Sequence, residues 1–241
     1  VNDFNGNYYK AHQYAMMMHL VKRIDYTRFL RRLRKINEVL STLFAFLGSL
    51  FQRLNGAKIY SVDSFPVELC QITRQSRVRL WSDPSLKGYN ASKGRFFYGL
   101  KVHMVVTTDK EPVMVHISEG SIHDVTAGYQ FMHYLPQKSI TIGDKGYVSS
   151  KLEAFLKQFE IVLSPIGRNN MQQENKEEYF TKRRIRKGVE TAFSMITAKF
   201  GKVIKATTIG GFLTKLRLFI TAYAINCFLK LSDDKKALLF N

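Results

Sequence analysis

Cysteine is nearly absent: Cys70 and Cys227 are the only two in 241 residues, and they form no CxxC pair. That excludes a disulfide framework and a cysteine-based zinc site, and it fits a reducing cytoplasm. Proline is scarce at 5 residues while aromatics reach 13%, so the chain is expected to fold and not to remain disordered. Long hydrophobic runs are missing too. The longest uncharged apolar stretches, Val39–Phe51 and Leu218–Leu229, have 13 and 12 residues, short of the about 20 that a membrane span needs. No signal peptide opens the chain, and it begins on Val1 instead of Met, as expected of a chain whose natural start lies upstream. Negative charge is the scarcest feature: 19 Asp+Glu stand against 37 Lys+Arg, a net +18. For a folded, strongly basic chain the expected partner is nucleic acid, with an anionic membrane surface far behind.

Residues 1–57 read as helical, with Met16, Leu20, Ile24 and then Phe29, Leu30, Leu33, Ile36 and Leu40 at helical spacing. This region carries Lys22, Arg23, Arg28, Arg31, Arg32, Arg34 and Lys35 with Asp25 as the single nearby acid. The run is either a solvated helix face or a phosphate-binding one. From Lys58 the pattern changes. Ile59–Phe65 reads as a short strand ending at Pro66, followed by a polar, basic stretch whose Gly88 and Asn90 suggest a loop or insertion. Phe96–Thr108 and Val113–Ile117 form an expected hairpin. After it come a helix over Asp124–Leu135, a strand over Ser139–Gly143, a helix over Ser149–Phe159 and a strand over Ile161–Pro165. Helices over Lys176–Phe200 and Gly211–Leu229 close the chain. That order predicts an α/β fold, a mixed sheet flanked by helices.

Three acids stand out by context. Asp63 interrupts the apolar run Ile59–Phe65, where both strand propensity and burial disfavour it. Asp144 stands where the strand Ile140-Thr141-Ile142-Gly143 exits into a turn, and Glu190 flanks the helical stripe Ile185, Val189, Phe193, Ile196 and Phe200. Each has an ordinary reading: an edge-strand surface residue, a turn former beside Gly146, and an i,i+4 partner of Arg186. Together they suit a hard divalent cation. Mg²⁺ takes a few carboxylates plus water and substrate phosphate oxygens, the ligand set of phosphoryl transfer. His103 and His123 are weaker signals, since no second histidine stands at HExxH spacing, and Asp124 reads as an N-cap for Val125 onward. The cluster Lys182, Arg183, Arg184, Arg186 and Lys187 puts five positive charges in six residues, and from Thr191 to Ser232 there are six basic residues and no acid. A polyanion would relieve that repulsion. Trp81 is open to two readings, stacking on a base or packing within its loop.

Val62-Asp63-Ser64-Phe65-Pro66, Lys93-Gly94-Arg95-Phe96-Phe97-Tyr98-Gly99-Leu100-Lys101-Val102-His103, Gly143-Asp144-Lys145-Gly146-Tyr147 and Arg186-Lys187-Gly188-Val189-Glu190-Thr191-Ala192-Phe193-Ser194 together resemble bacterial insertion-sequence transposases of the DDE superfamily, above all insertion-sequence family 982. The resemblance covers nearly the whole chain, with the three acids in order at gaps of 81 and 46 residues. It implies an RNase H-like catalytic domain that binds the inverted repeats of a mobile element and cuts and joins DNA with Mg²⁺ (Mn²⁺ as substitute), two ions shared by Asp63, Asp144 and Glu190. It gives Asp124 an accessory role, and it implies a homodimer or larger assembly on duplex DNA in a bacterial cytoplasm. Transposases with a Tyr–Arg–Glu–Lys signature carry a Lys two turns after the Glu. Here Thr197 stands at that spacing and Lys199 is the nearest substitute. Family members also have more chain before this point.

The expected division is a helical DNA-binding and assembly region (residues 1–57), the catalytic domain (58–200, insertion at about 70–95) and a C-terminal helical region (201–241). Arg28, Arg31, Arg32, Arg34 and Lys35, with Lys182, Arg183, Arg184, Arg186 and Lys187, are the expected DNA contacts, and Arg186 and Lys199 are also accessory candidates at the site. Two rivals stay open: an RNase H-like nuclease that cuts without joining, and a truncated remnant that only binds DNA.

Overall fold

A computed structural model of the chain describes residues 1–166, 176–200 and 204–240. Lys202, one of the basic residues in the acid-free run, lies outside them. Three helices come first: α1 (Tyr8–Met17), α2 (Tyr26–Lys35) and α3 (Asn37–Leu54). Their starts are readable in the sequence. The Asn7 side chain accepts from Lys10 N–H and the Asp25 carboxylate from Arg28 N–H, satisfying N–H groups that a helix leaves free.

The sheet is built around β1 (Ile59–Cys70). It pairs antiparallel with β3 (Arg95–Thr107) and, over Ile59–Val62 only, parallel with β5 (Ile140–Gly143). Outside β5 lies β6 (Val162–Leu163), and β3 is flanked on its far side by β4 (Pro112–Glu119) and β2 (Lys87–Asn90). The result is a six-stranded mixed sheet flanked by helices, in agreement with the expected α/β class.

Two elements differ from expectation. β1 does not end at Pro66 but continues to Cys70. Past Val62 no strand among the described residues pairs on its β5 side, and an open edge is where a strand can hold a proline without losing a ladder bond. The basic insertion is not all loop either, because its Lys87–Asn90 form β2 against Tyr98–Arg95. Gly88 marks a close backbone approach there: a Cβ on it would lie 2.1 Å from the Gly120 carbonyl oxygen. Trp81 is half-buried against the core, which answers the packing half of its two readings.

Helices cover both faces. α4 (Asp124–Phe131) packs through Phe131, whose ring stacks on His116 at 5.5 Å, and α5 (Ser150–Lys157) follows. α6 (Lys176–Thr197) lies on the opposite face, its Phe193 ring 4.5 Å from Phe65. α7 (Ile209–Leu229) and α8 (Asp233–Phe240) complete the chain. By length and composition α7 could cross a membrane. Its Phe212, Leu216, Phe219, Ile220 and Tyr223 are nevertheless buried in the same cluster as Phe44, Leu47 and Phe51 of α3. One continuous apolar core therefore joins α3, the sheet and the C-terminal helices.

Candidate active site

Register decides which acids meet. Val62 of β1 pairs with Gly143 of β5, so the next residues, Asp63 and Asp144, leave the two parallel strands side by side. Side chains alternate along a strand, so Asp63 shares a face with Phe65. That ring packs on Phe193 of α6, and Glu190 stands three residues before Phe193, close to one helical turn. The sheet and α6 thus converge on one corner.

Arg186 ties that corner together. Its Nη1 donates to Asp144 Oδ1 at 2.7 Å and its Nη2 to Glu190 Oε1 at 2.5 Å. The i,i+4 pairing of Arg186 with Glu190 is the ordinary reading of that acid, and it is present together with the bridge to Asp144. Burial works against the guanidinium charge, but Asp144, Glu190 and Asp63 outweigh it and hold its pKa above the usual arginine value. Asp63 has no such partner: among the described residues its close contact is the Ser64 N–H, which donates to Oδ1 at 2.7 Å. Desolvation pushes its pKa up to about 7. The Ser64 bond and the field of Arg186 pull it down, while Asp144 and Asp124 push it further up.

A second cluster occupies the other face of the sheet. Asp124 is the first residue of α4 and not its N-cap, which is His123 with no side-chain bond. Its carboxylate is turned to the sheet instead, where Ser64 Oγ donates to Oδ1 at 3.0 Å and Lys101 Nζ at 3.3 Å. It also lies against the turn after Asp144, since a Cβ on Gly146 would stand 2.6 Å from Asp124 Oδ2. Behind it, His103 Nδ1 is 3.1 Å from the Tyr147 hydroxyl and Nε2 is 3.0 Å from Ser118 Oγ. Ser118 Oγ donates to the Glu119 carbonyl. It therefore accepts from His103 Nε2–H, and Tyr147 donates to Nδ1. Desolvation lowers the His103 pKa to about 4, so the ring is neutral near pH 7; Asp124 opposes that shift, while His116 and Lys101 add to it. Reading the sequence missed Ser64, Lys101, His103 and Tyr147 as a unit. They stood inside the quoted motifs, but nothing in a motif says that residues 40 or 60 positions apart will touch.

The basic candidates are spread out. Arg28, Arg31, Arg32 and Lys35 line one shallow cavity of about 260 Å³ on α2, and Arg34 is also exposed. Arg183, Arg184 and Lys187 are exposed on α6, whereas Lys182 is buried with Nζ 2.9 Å from Glu178. Lys199 pairs with Asp3 at 3.5 Å. The larger cavity, about 610 Å³ between α3, β4, α4 and α7, is not lined by any of the three acids.

Asp63, Asp144 and Glu190 offer only carboxylate oxygens, the donor type a hard dication takes, and the unneutralised Asp63 is the group such an ion would relieve. Among the described residues no three His, Cys, Asp or Glu side chains stand together at metal-holding distances. Arg186 supplies the positive charge between Asp144 and Glu190 in this arrangement.

Among solved structures, the chain is similar to a piggyBac transposase in a cryo-EM synaptic complex with hairpin DNA. The match has 11% identity and a TM-score of 0.43 over 76% of this chain and 51% of that one, so this chain spans about half the length of that protein. No curated protein matches it. The family model described as the transposase DDE domain matches residues 55–227, a stretch that contains β1, β5, α6 and all three acids, and the chain belongs to that family.

Proposed function

We propose that this chain is a bacterial insertion-sequence transposase, of the kind found in family 982. It binds the terminal inverted repeats of its element as duplex DNA, cleaves a phosphodiester and joins the freed 3′-OH to target DNA. It acts in the cytoplasm, on the nucleoid, as a homodimer or larger assembly. The observation that carries this reading is the Val62–Gly143 register, which sets Asp63 beside Asp144 at the corner where α6 brings Glu190.

Asp63, Asp144 and Glu190 are the residues that would hold Mg²⁺, or Mn²⁺ in its place, as two ions. Such ions supply charge stabilisation at phosphoryl oxygens and a lowered pKa for bound water. Asp63 holds its proton to about pH 7, and positive charge arriving beside it would favour its ionised form. Arg186 holds Asp144 and Glu190 in place until then. Asp124, fixed by Ser64 and Lys101, supports the turn that follows Asp144. The grip on DNA comes from residues 1–57 through Arg28, Arg31, Arg32, Arg34 and Lys35, and from Arg183, Arg184 and Lys187 on α6. Lys182, buried on Glu178, and Lys199, in the turn after α6 and paired with Asp3, would act indirectly, by fixing the position of α6.

The test is to incubate the chain with DNA carrying both flanks of its own gene and Mg²⁺. Nicks with 3′-OH ends at the element boundary, followed by joined products, are expected. Cleavage without joining would instead identify a nuclease, and binding without cleavage a DNA-binding remnant. Affinity should fall about 10³–10⁵-fold between roughly 50 and 200 mM salt if six to ten phosphates are neutralised.

A further inference from the structure

The tip of the β2–β3 ribbon carries a feature that the carboxylate corner does not use. Tyr89 of β2 and Phe96 of β3 are direct cross-strand partners, with ring centroids 5.1 Å apart at 61°. Aromatic pairs of this kind help hold two strands together. They do so best when shielded from water, however, and these rings are 53% and 54% exposed. Lys87 Nζ stands 5.2 Å over the Phe96 ring, and Lys93 and Arg95 are exposed at the same turn. No acid occurs in the sequence between Asp83 and Asp109. Among the described residues, Glu68 is the carboxylate paired there, with Arg95 at 2.7 Å.

Exposed ring faces among cations fit a polyanion that also presents flat apolar surfaces. Duplex DNA hides its base faces in the stack, whereas an unpaired strand offers them, and stacking on aromatic side chains tolerates any sequence. Phe96 and Met104 are an even number of residues apart on β3, and Met104 pairs with Asp63, but Tyr98, Leu100, Val102 and Met104 on that face are buried, so the rings form an exposed site of their own, apart from Asp63. Eight residues of strand separate them, roughly 27 Å.

Resting on the DNA-processing reading above, we infer that Tyr89 and Phe96 form a stacking platform for unpaired bases at the tip of the β2–β3 ribbon. The occupant is single-stranded or frayed DNA, gripped through its base faces by the two rings and through its phosphates by Lys87, Lys93 and Arg95.

The experiment uses the full chain and two probes of equal length: a blunt duplex and a duplex with one frayed end carrying 2-aminopurine. Wild type should bind the frayed probe more tightly and change its fluorescence. Tyr89→Ala and Phe96→Ala should each weaken frayed-end binding about ten-fold while leaving blunt-duplex affinity unchanged. Tyr89→Phe and Phe96→Tyr, which keep the rings, should retain it. Circular dichroism separates a loss of fold, and the wild-type fluorescence change is a readout that needs no variant. The proposal is overturned if wild type shows no preference for the frayed probe and leaves its fluorescence unchanged. It is overturned equally if folded alanine variants keep that preference, or if an added protein partner protects the rings while DNA does not. Failure to bind either probe would sink the DNA-processing reading itself, a result distinct from binding both probes alike.

Discussion

Asp63 and Asp124 stand on opposite faces of one sheet and have been treated in opposite ways. Asp124 is matched by Lys101 and a serine hydroxyl, with a buried tyrosine–histidine–serine chain behind it. Asp63 receives one backbone N–H, and the nearest guanidinium is spent on Asp144 and Glu190. A desolvated, half-buried carboxylate without an ion-pair partner is costly to ionise, which is why Asp63 keeps its proton to about pH 7. The contrast separates a carboxylate matched by its surroundings from one that, on the proposed reading, a cation would relieve.

The contrast makes its largest demand on activity. Asp63→Asn, Asp144→Asn and Glu190→Gln should each lower cleavage about a thousand-fold or more, since a metal ion is worth several kcal/mol of transition-state charge. DNA affinity in a gel-shift assay should be kept. Wild-type cleavage rates for Asp63→Asn would erase the distinction between the two acids.

Stability against pH should separate the faces by sign. Asp63 binds its proton up to about pH 7 when folded, against 3.8 for an ordinary aspartate, so its ionisation removes stability as pH rises from about 4 to 7. His103 takes a proton only near pH 4 when folded, against 6.5 when free, so it removes stability as pH falls from 6.5 to about 4. Each effect is on the order of a few kcal/mol, and in wild type the two slopes oppose one another. Asp63→Asn should expose the histidine limb: Tm should climb between pH 4 and 6.5 and exceed the wild-type value above pH 7. His103→Gln should lower Tm overall and leave the falling slope of Asp63. A pH-independent difference between wild type and Asp63→Asn would mean that Asp63 is an ordinary acid.

Asp124→Asn strips the counter-charge from half-buried Lys101 and should cost about 1–3 kcal/mol in chemical denaturation. Its effect on cleavage should be far smaller than that of Asp63→Asn. Smallest of all is Asp83→Asn. That carboxylate caps the Ser85 N–H at 2.9 Å, a bond asparagine also makes, so activity and Tm should stay near wild type.

Local information explains which of these features could be read in advance. An aspartate inside an apolar strand, an acid where a strand exits into glycine and a glutamate one turn after an arginine are all short-range signals, and all three acids were visible as such. The α/β order was visible through period and turn chemistry. The Val62–Gly143 register was not, because pairing across 81 residues is set by the packing of both faces. Nor was the attachment of Asp124, since its partners Ser64 and Lys101 are remote in the chain, and a helix-start aspartate reads as a cap from its neighbours alone. β2 was hidden because Gly88 and Asn90 look like turn residues. Gly88 is there because the Gly120 backbone passes too close for a side chain.

β5 stops at Gly143 while β1 runs on to Cys70, and this step in the sheet shapes what the corner can hold. Asp144 and Glu190 keep 37% and 49% of their side-chain surface in water, so the acids sit on an open ledge. A ledge cannot envelop a small molecule. A free nucleotide would bury little surface there and leave quickly, whereas a polymer can rest a single phosphate on the acids while its length is held elsewhere. On the DNA-processing reading, capture and chemistry would fall to different parts of the chain, and binding could change without disturbing the acids.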